Sequence, residues 1–295
     1  HEQRMGHEYV GTVVEVGEAV TTVKPGDFVV GSFCISCGEC EICRAGYPSR
    51  CVTAAAQGDT YVSTRAGGTQ AEYARVALAD GTLVKTPAIP TPEQLPSLLA
   101  ASDVLGTGWF AADEAGAAPG KTIVVVGDGA VGLGAIITAK QLGASRIIAM
   151  SRHADRQALA RQFGATDIVE ERGEEGIARI KEMTGGLGAD GVVEAVGNEA
   201  SFDQALGCVR PGGHLSFVGV PHGVSLDMGR MFDAEVHMFG GPAAVRKYLP
   251  TMIDLIYRGE INPGAVFDLV LPLEQAAEGY AAMDERRATK VMLTV

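Results

Sequence analysis

The sequence predicts an α/β protein in which a doubly wound parallel sheet is inserted in a β-rich domain. Three observations predict it. Residues 123–126 (IVVV) run without alternation into Gly127, Gly129 and Gly132, and an apolar helical pattern follows, the signature of a buried strand turning tightly into a helix. Further apolar runs at 147–150, 191–196 and 214–220 alternate with helical segments at 155–163, 174–183 and 199–209. The closing segment 290–295 (KVMLTV) returns to the β character of the opening segment, so the strand-and-helix region reads as an insertion. The expected boundaries are 1–105 for the first domain, 106–241 for the inserted domain and 242–295 for the return.

Taken in order, residues 8–17 (EYVGTVVEVG) alternate as a strand, and the KPGD turn at 24–27 leads to a second strand at 28–30. Residues 32–57 carry Cys, Gly, Arg and Ser without a period, an excursion held by something other than an apolar core. Residues 70–76 (QAEYARV) are expected to resume β structure. A Pro-rich connector at 86–96 then meets a helical pattern running over 93–112. Beyond the inserted sheet, 235–239 is expected as its last strand and 243–257 as a long amphipathic helix.

Composition excludes several classes. The chain has 295 residues, 46% of them hydrophobic, enough for two cores rather than one. No apolar run is long enough to span a bilayer, and no basic-plus-apolar signal segment opens the chain, so neither a membrane nor secretion is expected. A net charge of -12, from 36 acidic against 24 basic residues, would repel a phosphate backbone and argues against a nucleic-acid partner. Five of the six cysteines lie between Cys34 and Cys51, which suits a metal in a reducing cytoplasm better than a disulfide framework.

Two motifs carry chemistry. Cys37, Cys40, Cys43 and Cys51 are spaced C-x2-C-x2-C-x7-C, and four thiolates satisfy zinc completely, leaving no position for substrate. This is the expectation of a structural zinc in a lobe at about 34–52, with Cys34 and Cys208 as packing residues. In the turn formed by Gly127, Gly129, Ala130, Val131 and Gly132, the first glycine permits the bend and the second lets phosphates approach the backbone. The third packs helix on strand, and the helix N-terminus faces the pyrophosphate of a dinucleotide.

With Gly6-His7-Glu8, Gly11, the KPGD turn, the four-cysteine lobe and the GDGAVG turn in this order, the chain resembles the zinc-containing alcohol dehydrogenases of the medium-chain dehydrogenase/reductase family, from about residue 5 onward. The resemblance implies a GroES-like catalytic domain carrying a Rossmann domain. It implies a catalytic zinc, with His7 as a ligand, Asp103 as the carboxylate ligand and Glu8 as the acidic neighbour of the metal. The family's first ligand, a cysteine upstream of His7, has no counterpart in this sequence. The expectation is therefore an N-terminally incomplete chain whose catalytic centre is depleted beside an occupied structural one. The resemblance further places Thr107 against the nicotinamide, Val218, Gly219 and Val220 behind that ring, Phe239 at its carboxamide and Lys290 near the pyrophosphate. Trp109 and Phe110 read as core. A homodimer or homotetramer is implied, with the last sheet strand as a contact.

The implied activity is zinc-dependent hydride transfer between an alcohol, or the corresponding aldehyde or ketone, and a nicotinamide dinucleotide. Cofactor preference follows from charge. Where NAD enzymes carry an acid for the ribose 2′-hydroxyl, this strand ends in Ser151, Arg152 and His153, with no acid; serine supplies a hydroxyl donor and arginine a charge-assisted fork, both suited to the phosphate of NADP. The alternatives are a zinc-independent quinone or enoyl reductase on the same fold and a dinucleotide-binding protein impaired in catalysis. His7, Glu8, Asp103 and the cysteine lobe weigh against the first.

Overall fold

The computed structural model describes residues 5–62 and 68–295. The chain divides into two compact units. One comprises residues up to Gly106 together with Ala244–Val295, and the other is Thr107–Ala243.

The first unit opens with an antiparallel sheet of β1 (Tyr9–Thr12), β2 (Phe28–Gly31) and β3 (Leu83–Lys85), in that order. Tyr9 lies opposite Gly31, and a Cβ at position 31 would stand 1.9 Å from the tyrosine ring, so this pairing requires glycine. Among the described residues, the excursion between β2 and β3 holds three short α-helices, α1 (Glu41–Arg44), α2 (Val52–Gln57) and α3 (Ala79–Thr82). Residues 70–76, expected as β, form bends with no strand pairing. Residues 72–75 are all exposed, Tyr73 to 75%, and make no ladder; the Gln70 side chain instead donates to the Tyr280 hydroxyl at 2.9 Å. The helical pattern at 93–112 divides into α4 (Leu95–Ser102) and α5 (Val104–Glu114), broken at Asp103, whose φ of -147 and ψ of -73 are not helical.

The second unit is one six-stranded parallel sheet. It comprises β4 (Thr122–Val126), α6 (Ala130–Gln141), β5 (Arg146–Met150), α7 (Ala154–Phe163), β6 (Asp167–Val169), α8 (Gly173–Met183), β7 (Ala189–Glu194), α9 (Glu199–Cys208), β8 (Val209–Phe217), α10 (Met228–Ala234) and β9 (His237–Gly240). The strand order β6-β5-β4-β7-β8-β9 reverses direction of growth at β4. That is the switch point beyond whose carboxyl ends a doubly wound sheet binds ligands. Val124, Val126, Ile148, Met150, Val192 and Leu215 from the strands are buried with Ile177, Ile180 and Ala205 from the helices. β6 and α10 were not expected, because three and seven residues are too few to show a period. The run expected as a strand at 214–220 starts earlier and ends at Phe217, which leaves 218–220 as a loop at the sheet's carboxyl edge.

The chain then returns to the first unit through α11 (Val245–Tyr257), β10 (Leu269–Pro272), α12 (Ala276–Asp284) and β11 (Val291–Thr294). The tail does not extend the three-stranded sheet. β11 pairs parallel with β10 in a sheet of two strands.

Candidate active site

His7 and Glu8 stand immediately before β1, held there by residues 69–70: Thr69 N–H donates to the Gly6 carbonyl at 3.0 Å, Gln70 N–H to that of Met5 at 3.1 Å. Asp103 fills the break between α4 and α5, where an ended helix aims its carboxylate across the unit. His7 Nε2 and Asp103 Oδ2 are 2.7 Å apart, and one ligand atom from each of His7, Glu8 and Asp103 lies within 4.8 Å of the others. A nitrogen and two carboxylates so converged form a donor set that fits zinc. The Asp103 hydrogen bond raises the His7 pKa above 6.5 against the opposing effect of burial. Burial also raises the Glu8 carboxyl, and this outweighs its ion pair with Lys290, whose Nζ lies 2.5 Å from Oε1. Lys290, expected near the pyrophosphate, is thus placed against Glu8.

The four cysteines of the lobe converge as well. Cys51 Sγ is 3.6 Å from Cys37 Sγ and 3.9 Å from Cys40 Sγ, too far for a disulfide. A tetrahedron with Zn–S arms of about 2.3 Å has S···S edges of about 3.8 Å, so the donor set fits zinc without rearrangement. Backbone N–H groups of Cys37 and Ala54 point at the Cys51 sulfur, and that of Cys40 at the Cys37 sulfur. Such bonds favour thiolate: the backbone of Cys43 is the main cause of a Cys40 pKa lowered to about 6, whereas burial pushes Cys43 up to about 12. Cys34 and Cys208 lie outside the set, both buried.

In the second unit, Gly127 has φ of 119, and Gly129 caps α6. A Cβ on Gly132 would come 1.9 Å from the Gly127 carbonyl oxygen, whereas one on Gly129 would meet nothing within 4 Å. The turn is therefore closed on its strand side and open at the helix N-terminus with Ala130 and Val131, a cradle that fits a pyrophosphate. Val218, Gly219 and Val220 follow β8, and a Cβ on Gly219 would lie 2.3 Å from the Gly197 nitrogen. Phe239 lies on β9, its ring 5.9 Å from that of Phe110. Thr107 lies in the first half of α5 and is buried. Trp109 and Phe110 are also buried.

At the end of β5, Ser151 is fully buried and donates its hydroxyl to Asp128 Oδ2 at 2.7 Å; Arg152 and His153 are exposed. Sequence reasoning passed over Asp128, Arg156 and Glu194. Glu194 ends β7 fully buried, its Oε1 accepting from Val196 N–H, Gly197 N–H and Ser201 Oγ. An acid inside the apolar run GVVEAVG was the available signal.

A glycine turn open at a helix N-terminus in one unit and two zinc-compatible donor sets in the other are features of the zinc dehydrogenase class, and comparison with known proteins agrees. Residues 2–88 match the alcohol dehydrogenase GroES-like domain, and residues 130–258 match the zinc-binding dehydrogenase model. The chain is 36% identical over 296 residues to zinc-type alcohol dehydrogenase B of Aspergillus flavus, covering 98% of this chain and 68% of that protein. It is also 36% identical to an L-threonine 3-dehydrogenase of Caldanaerobacter subterraneus subsp. tengcongensis, over 98% of this chain and 81% of that one. Among solved structures, alcohol dehydrogenase TADH from Thermus sp. ATN1 superposes with a TM-score of 0.87 at 35% identity, covering 99% of this chain and 84% of that one. The chain belongs to the zinc-containing alcohol dehydrogenases of the medium-chain dehydrogenase/reductase family.

Proposed function

We propose that the protein transfers hydride between a small-molecule alcohol, or the corresponding aldehyde or ketone, and a nicotinamide dinucleotide. The observation that carries this reading is the convergence of His7, Glu8 and Asp103 from distant positions in a chain that also holds the open glycine cradle. His7 and Asp103 would hold the catalytic zinc with Glu8 beside it, and the metal when bound supplies Lewis-acid polarisation of the substrate oxygen. His7 Nε2 and Asp103 Oδ2 face each other at 2.7 Å, so the two ligand atoms already converge on one centre, and the hydrogen bond between them would give way to the metal. Lys290 holds Glu8 in place and balances its charge. Cys37, Cys40, Cys43 and Cys51 hold the structural zinc. Gly127, Gly129, Ala130, Val131 and Gly132 receive the pyrophosphate, and Thr107, the backbone of 218–220 and Phe239 receive the nicotinamide end. The converged donor sets weigh against a zinc-independent reductase.

Arg152 supports the NADP expectation; the engagement of the Ser151 hydroxyl by Asp128 opposes it. Self-association as a homodimer or homotetramer is supported by the open edge of β9 and by the exposed Met228 and Phe232 of α10. A cytoplasmic setting is supported by six unbridged thiols. Among the described residues no helix is long and apolar enough to cross a membrane.

The decisive experiment combines metal analysis with alcohol-dependent cofactor reduction. Expected are a tightly held zinc at the thiols, a second that chelators remove and His7→Ala abolishes, and turnover that follows the second. Turnover that persists in zinc-free protein would establish the reductase alternative, and cofactor binding without turnover across a broad alcohol panel would leave only the dinucleotide site.

A further inference from the structure

The end of β5 lacks the acid that receives a ribose diol, yet a carboxylate stands there. Asp128, between the first two glycines of the turn, reaches across to β5. Its Oδ2 accepts from Ser151 Oγ at 2.7 Å, and its Oδ1 pairs with Arg156 Nη1 at 3.1 Å. The carboxylate is thus one hydrogen bond from the side chain at the position where the acid is absent, approaching from the neighbouring loop. We infer that Asp128 is the residue that receives the adenosine ribose and selects NAD over NADP, in place of any acid on β5. This rests on the reading of the glycine turn as a dinucleotide site.

Three features support it. Among the described residues each Asp128 oxygen has one protein partner and retains a lone pair, so a vicinal diol can donate to the carboxylate whereas a 2′-phosphate would meet like charge. Although burial works against ionisation, the Ser151 and Arg156 bonds hold the Asp128 carboxyl below its usual range, so it is charged at neutral pH. The Ser151 proton points at Asp128, which removes the hydroxyl donor that a phosphate would need. The basic residues here do not reverse the argument, because Asp128 faces them: Arg156 is its ion-pair partner, and Arg172 feels both Asp128 and Arg152. Arg172 also keeps a buried Nη1 without a hydrogen-bond partner. Removing the Asp128 charge would leave three guanidinium groups without that counter-acid, which is an anion site.

The test is cofactor affinity, read from the fluorescence of NADH and NADPH on binding. Wild type is expected to bind NADH more than about tenfold tighter than NADPH, the scale of one unfavourable charge contact near a surface. Asp128→Asn, isosteric and still able to accept from Ser151, should shift the ratio toward NADPH by at least about tenfold. The double variant Asp128→Asn with Ser151→Asp, which moves the acid onto β5, should restore NADH preference. A wild type that prefers NADPH, or an Asp128→Asn protein with wild-type melting and an unchanged ratio, would overturn the role of Asp128 alone. Failure of the wild type to bind either cofactor would overturn the dinucleotide site itself. Should Asp128→Asn not fold, Ser151→Ala decides: an unchanged ratio of NADH to NADPH affinity supports the inference, and a shift of that ratio by about tenfold or more through lost NADPH binding, which would make Ser151 a phosphate donor, refutes it.

Discussion

The two donor sets of the first unit meet the same coordination problem from opposite directions. The four thiols lie within residues 37–51, and backbone N–H groups of the same lobe already point at their sulfurs. The other set draws His7 and Glu8 from before β1, Asp103 from a break between helices and a brace from Lys290. A local set is organised by its own short loop, and its loss registers as stability. A dispersed set exists only once the unit has packed, and its loss registers as chemistry. Stability and activity should therefore respond separately to changes at the two places.

The largest expected effect is at the dispersed set. His7→Ala should lower turnover by about a thousandfold, roughly 4 kcal/mol in the barrier, with melting close to wild type. A large fall in melting temperature instead would mean that the two sets are not separable. Next, Cys40→Ser should release zinc from the lobe and cost about 3 kcal/mol, a drop of roughly 10 °C by calorimetry. Residual activity measured below the new transition should stay within a fewfold of wild type, and a loss as deep as that of His7→Ala would break the contrast. Lys290→Met leaves Glu8 buried without its cation; about 2 kcal/mol and roughly 5 °C of melting temperature should be lost, with the cysteine zinc unaffected.

The smallest effect concerns Asp80, which lines one pocket with Cys37 and Cys43 of the lobe but is not a ligand. Burial disfavours its charge, yet bonds from the backbones and hydroxyls of Thr21 and Thr22 outweigh burial and lower its pKa to about 2. A carboxyl depressed in the folded state contributes stability that is complete above its unfolded value, 3.8, and lost as pH falls toward the folded one. Asp80→Asn should cost roughly 1 kcal/mol at neutral pH and flatten the fall in melting temperature between about pH 4 and pH 2.

The same contrast explains what the sequence could reveal. The thiol lobe and the glycine turn are written in contiguous residues, so spacing alone exposes them. The buried strands β4 and β5 are equally plain, because residues 123–126 and 147–150 are apolar throughout. His7 and Asp103 carry no local signal of partnership, since only folding brings them to 2.7 Å; family resemblance suggested them where periodicity could not. Residues 70–76 show the converse. Their β-like composition suggested a strand, but 72–75 are all exposed and a strand also needs a partner edge, which is a tertiary fact. The link between Asp128 and Ser151 was invisible for a similar reason. Each residue was legible in its own turn, and the hydrogen bond joining two turns was not.

One contact carries a consequence for synthesis. Glu8 and Lys290 are 282 positions apart, and the whole of Thr107–Ala243 is translated between them. On the ribosome the cysteine lobe can capture zinc early, and the parallel sheet can close while the first unit is still waiting for its last strands. The brace on Glu8 cannot form until Lys290 has been made. A nascent chain should thus carry all four thiols of the lobe and the ligand candidates His7, Glu8 and Asp103 long before the cation that balances Glu8 is made, so the residue leading into the last strand neutralises a carboxylate placed just before the first.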